Sequence, residues 1–97
     1  MRRIVYAASF VEDAARIGEY IEAQFGIARA DAFTLDINRF CELVAEYPGL
    51  GRRNHGYETV LYGVVHNRNW IFFEHDEVEI RFVRLVEGVR HKPATKF

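Results

Sequence analysis

Ninety-seven residues of 11.3 kDa, 49% of them apolar and 28% charged, predict one small domain spanning residues 1–97, with enough apolar content to build a core and too much to stay disordered. No apolar run approaches the roughly 18 residues of a bilayer span, and the stretch after Met1-Arg2-Arg3 is too brief for a secretory leader, so a cytoplasmic protein is expected. The single cysteine, Cys41, excludes an internal disulfide and any zinc site built on several thiolates.

The net charge of −1 hides a polarity along the chain: residues 1–47 sum to −3, residues 48–80 to −2 and residues 81–97 to +4. Eleven of the 13 basic residues are arginine, whose planar fork suits bidentate contact with carboxylate or phosphate. An anionic partner near the C-terminus is one reading of this arginine-rich charge, and a genome of high GC content, which favours arginine, is the other.

In chain order, residues 3–8 suit a short opening strand. Ser9-Phe10-Val11-Glu12 then has the capping-box spacing, which predicts that a helix starts there. Phe10, Ala14, Ile17, Ile21 and Phe25 line one helical face, and Gly26 sits where a C-terminal cap belongs. A second helix follows from Ala30, Phe33, Ile37, Phe40, Val44 and Tyr47, spaced alternately by three and four. Two such helices joined by a few residues form an antiparallel hairpin. Glu12, Asp13, Glu19 and Glu22 read as a solvated face, with pairing to a partner's arginines as the alternative.

Residues 48–56 form a glycine-rich loop. Residues 57–65, 69–75 and 78–87 read as three strands divided by the turn-prone pairs Asn67-Arg68 and Asp76-Glu77, an antiparallel meander. Four successive large side chains, Trp70, Ile71, Phe72 and Phe73, predict a central strand covered on both faces. The whole is an α+β fold: a short N-terminal strand, an antiparallel helical hairpin, then a three-stranded antiparallel meander forming one curved sheet. His55, His66 and His75 lack metal-ligand spacing, the glycines lack a phosphate-loop pattern, and Cys41 lies on or beside the apolar stripe as a small buried hydrophobe. No cofactor and no metal is expected.

This order of elements resembles the RelE/ParE superfamily of bacterial type II toxins over almost the whole chain. The most specific segment runs from Phe40-Cys41-Glu42-Leu43-Val44-Ala45-Glu46-Tyr47 into the Pro48-x-x-Gly51-Arg52 turn. Trp70-Ile71-Phe72-Phe73, the polar turn His75-Asp76-Glu77 and the stretch from Arg81 through Arg84 to Arg90-His91 match the strands and the basic end that follow in the family. The long hairpin is more similar to the ParE branch, whose members poison DNA gyrase without a recognised catalytic triad.

The resemblance implies a toxin that inhibits DNA gyrase and is neutralised by direct binding of a cognate antitoxin. Its target-binding residues would be Arg84, Arg90, His91, Lys92 and Lys96, a cationic end able to engage an acidic protein surface. Antitoxin contacts would fall on Ile17, Tyr20, Ile21, Phe33, Ile37, Trp70 and Phe72. The alternatives are a ribosome-dependent mRNA endoribonuclease of RelE type and a nontoxic antitoxin-binding module. In the nuclease, metal-independent cleavage would fall to Arg52, Arg84, Arg90 and His91, since the reaction needs an acid or base and cations around the phosphate. No tyrosine follows Tyr62 to serve such an enzyme. Direct nucleic-acid binding is left open.

Overall fold

The computed structural model describes residues 2–53 and 62–87. Strand β1, Arg3–Tyr6, leads into helix α1, Ala8–Phe25, and helix α2, Ile27–Glu46. A 3-10 turn at Pro48–Leu50 is followed by strands β2, Arg52–Arg53, β3, Tyr62–His66, β4, Asn69–His75, and β5, Glu79–Glu87.

Helix α1 starts one residue before Ser9, with Ala7 at the cap and no side-chain capping bond. The expected capping box is therefore not formed. The Ser9 hydroxyl donates instead to the Val83 carbonyl of β5 at 2.6 Å. The hairpin bend is tighter than expected. Gly26 alone closes α1 and opens α2, at φ 92° and ψ 167°, a backbone conformation that side chains strain. Its N–H bonds to the Glu22 carbonyl at 2.9 Å. Helix α2 ends at Tyr47, because Pro48 disfavours the helical conformation in the residue before it. Tyr47, placed on the apolar stripe by its spacing, is exposed as a result.

The sheet has five strands in the order β1-β5-β4-β3-β2. The meander β3-β4-β5 is antiparallel as expected, and β1 adds to it in parallel, with Arg3 opposite Glu79 and Tyr6 opposite Phe82. The glycine-rich loop contributes one element not anticipated, the two-residue strand β2 on the far edge. The β3–β4 turn has Asn67 at φ 47° and Arg68 at φ 67°, the two positive values that a two-residue type I′ hairpin requires. At the β4–β5 turn, Asp76 Oδ1 accepts from the Val78 and Glu79 N–H groups, each at 2.8 Å. These bonds hold its carboxyl below the ordinary carboxylate value.

The helices cover one face of the sheet. Phe10 and Ile17 of α1 and Ile37, Cys41, Val44 and Ala45 of α2 pack on Ile71, Phe73, Ile80, Phe82 and Leu85. Cys41 is fully buried as expected, and burial pushes its thiol up to about 12. Phe72 is fully buried too but lies outside this cluster, with its ring 6.0 Å from that of Trp70. Alternation along β4 puts both on the opposite face, so the prediction of a strand covered on two sides holds. Between Phe72 and Phe73 the register slips, and Val83 of β5 is left unopposed.

Candidate functional site

The sequence-predicted residues separate into three groups. Arg90, His91, Lys92 and Lys96 lie outside the described residues, as does His55. Arg52 and Arg84 are placed, and so is the whole proposed antitoxin set.

Arg84 is committed to the fold. Its Nε donates to Asp13 Oδ2 at 2.7 Å and its Nη2 to Asp13 Oδ1 at 3.1 Å, a forked contact between β5 and α1. The same carboxylate accepts from the Leu85 backbone N–H at 3.0 Å and from Arg16 Nη2 at 2.9 Å. Burial alone would raise the Asp13 carboxyl, but the bonds from Arg84, the Leu85 amide and Arg16 outweigh it and hold the group below the ordinary carboxylate value. The bond to Asp13 likewise raises Arg84.

Asp13 is 2% exposed, so its assignment to a solvated acidic face is corrected. The signal was present in the spacing: Asp13 falls three residues after Phe10 and four before Ile17, within the buried stripe rather than opposite it. An acid at such a position needs a cation, and β5 supplies Arg84.

Arg52 stands far from Arg84. Register runs Arg52 opposite Gly63, Gly63 opposite Phe72 and Phe72 opposite Arg84, one row across the sheet. Three strand spacings separate the two arginine backbones, roughly 14 Å. Gly51, just before Arg52, lies against the core: a Cβ there would fall 2.7 Å from Phe73 Cε1 and 3.2 Å from Tyr62 Cβ. The Pro48-x-x-Gly51-Arg52 motif thus has a packing cause, since glycine lets the turn seat on Phe73 and start β2.

Of the residues assigned to an antitoxin, Tyr20 is exposed, and Ile21, Phe33 and Trp70 are half-buried. Ile17 and Ile37 are almost wholly buried and Phe72 wholly so, because all three belong to packed interiors. Phe72 offers a partner no surface. Ile17 and Ile37 are reached only as linings of clefts. A cleft of about 520 Å³ lies between the hairpin and the sheet, lined by Ile17, Ile21, Phe25 and Phe33 with Arg29, Arg68 and Glu87 also in its wall. A smaller one of about 160 Å³ between α1 and α2 includes Phe10, Phe33 and Ile37.

A tie that sequence reasoning missed closes one side of the larger cleft. Asp36 Oδ2 of α2 is 2.9 Å from His66 Nε2 and accepts from Asn67 Nδ2 at 2.8 Å, while the Phe40 ring stacks on His66 with centroids 4.0 Å apart. Among the described residues, no three His, Cys, Asp or Glu side chains are grouped to hold a metal, and no helix is long and apolar enough to cross a membrane.

A strand followed by a helical hairpin laid on one face of a mixed sheet is the architecture expected of the RelE/ParE-like toxins. A solved chain of the chromosomal ParDE TA system from P. aeruginosa has this fold, with a TM-score of 0.77 at 13% identity over 92% of this chain and 98% of that one. Residues 4–91 match the family model for the ParE toxin of the type II toxin-antitoxin system, parDE, and the chain belongs to that family. No curated protein matches it.

Proposed function

We propose that this protein is the toxin of a type II toxin–antitoxin pair, acts in the cytoplasm by binding and inhibiting DNA gyrase, and is neutralised by direct binding of its cognate antitoxin. The family match over residues 4–91 carries the reading. The chain acts as a binding protein, and its working surface is the cationic end, Arg90, His91, Lys92 and Lys96. Arg84 leaves that surface and joins the fold through Asp13.

The same observation weighs against a nuclease. Cleavage needs cations converging on one phosphate, because charge builds there in the transition state. Arg84 is held by a carboxylate, and Arg52 sits roughly three strand spacings away along the same row. Antitoxin contact falls along the edge of the hairpin, where Tyr20 is exposed and half-buried Ile21 and Phe33 line the cleft that would take a partner's side chain. Trp70 would extend that contact onto the opposite face of the sheet.

Induction of the chain alone and together with its antitoxin tests this reading. Growth arrest with failed supercoiling and DNA breaks is expected in the first case, and normal growth in the second. Arg90→Ala with His91→Ala should abolish arrest while antitoxin still co-purifies. Rapid loss of messenger RNA with intact supercoiling would favour the nuclease, and normal growth of cells holding the toxin alone would favour a nontoxic module.

A further inference from the structure

Strand β5 is longer than its neighbour. Its pairing with β1 ends at Tyr6 opposite Phe82, with one more bond from the Ala7 N–H to the Phe82 carbonyl at 2.9 Å. From Val83 to its end at Glu87, β5 has β4 on one side and, among the described residues, no strand on the other. Half a strand with unpaired backbone groups is normally a liability, because those groups lose water under a packed helix and invite another strand where they stay open.

The next groups on that side are satisfied by side chains of α1. Ser9 donates to the Val83 carbonyl at 2.6 Å, and Asp13 accepts from the Leu85 N–H at 3.0 Å. Ser9 and Asp13 are four residues apart, so they share one face of the helix and reach the strand one turn apart. They provide one donor and one acceptor, as a neighbouring strand would. Arg84, between the two bonded residues, forks onto the same carboxylate and fixes its plane.

We infer that α1 is a surrogate edge strand for the second half of β5, with Asp13 as its positioning residue and Arg84 as the brace that orients Asp13. The helix thus docks through the sheet's own backbone as well as through the apolar stripe. This follows from the α1–β5 geometry alone and does not depend on the toxin reading, so either can fail without the other.

Residue-resolved amide hydrogen exchange on the full chain tests the inference. Successive N–H groups along a strand point to opposite neighbours, so Val86, paired with Trp70, donates toward β4 while Leu85 donates toward α1. In Asp13→Ala, exchange at Leu85 relative to Val86 should accelerate by roughly ten- to a hundredfold, the worth of one charge-assisted hydrogen bond. Asp13→Asn keeps one carbonyl acceptor and should fall between. Equal acceleration at Leu85 and Val86 would make Asp13 an ordinary stabilising residue and overturn the inference, as would unchanged exchange at Leu85. A check on the unaltered chain needs no variant: the Arg84 Nε proton should exchange roughly tenfold or more slowly than that of Arg81, and equal rates would count against the brace.

Discussion

Replacing Gly51 by alanine should destabilise the protein although nothing in the backbone forbids it. Gly51 has φ −84° and ψ 154°, open to any residue, so the usual benefit of alanine in narrowing the unfolded ensemble, about 0.4 to 1 kcal/mol, applies here. Against it stands a Cβ placed 2.7 Å from Phe73 Cε1 and closer still to Cζ. Phe73 cannot yield, since it is fully buried and packed by Tyr62, Phe82 and His75 at centroid distances of 5.6, 5.9 and 5.9 Å. Overpacking costs about 1 to 3 kcal/mol, and against a ring that cannot yield at least about 2 kcal/mol applies, leaving a net loss of roughly 1 to 2 kcal/mol. At about 4 to 8 °C per kcal/mol for a chain this size, the melting temperature followed by circular dichroism should fall by roughly 5 to 15 °C. Gly49→Ala is the control, because nothing lies within 4 Å of its Cβ, and it should be neutral or slightly stabilising. Phe73→Leu should couple favourably with Gly51→Ala, since the smaller side chain makes room. An unchanged melting temperature for Gly51→Ala, or strict additivity in the double variant, would refute this account of the turn.

Asp13→Asn should cost about 3 kcal/mol in urea denaturation at neutral pH, because it leaves Arg84 without its carboxylate. The folded-state carboxyl is lowered, so its contribution is complete above the unfolded value of about 4 and is lost as pH falls through the folded value. The difference between the two proteins should be flat from about pH 5 upward and shrink in acid, and a difference that grows in acid would contradict the assignment. Arg68→Gly should stabilise by roughly 0.5 to 1 kcal/mol, since Arg68 holds φ 67° in a turn that prefers Asn-Gly, and an unchanged denaturation midpoint would argue against strain there.

The elements were legible in the sequence because each rests on local spacing. The stripe from Phe10 to Phe25, the positive-φ Gly26, the Pro48 stop and the Asn67-Arg68 turn all announce themselves within a few residues. What escaped depends on distant pairing. Ser9 has the cap's spacing, yet the Val83 carbonyl, 74 positions away, takes its hydroxyl. Strand β2 is two residues long and exists through its register with Gly63 and Tyr62, which no window of sequence displays. Arg84 looks like a surface cation in the sequence because its partner lies 71 positions earlier, and Ile17, Ile37 and Phe72 look like contact residues because burial depends on what covers them.

The C-terminal charge reads differently once the fold's own ion pairs are taken into account. Of the five cations in residues 81–97, Arg81 lies 3.7 Å from Glu74 and 3.8 Å from Glu79, and Arg84 is held at 2.7 Å by Asp13. Both therefore face acids contributed by the folded body, and little of their field is left for a partner. The remaining three, Arg90, Lys92 and Lys96, follow the last acid of the chain, Glu87, with His91 among them. A partner attracted by charge would respond to residues 88–97, which carry three cations and no acid. It follows that neutralising Arg84 should affect folding before recognition, while neutralising Arg90 should weaken association with an acidic surface in a salt-dependent way.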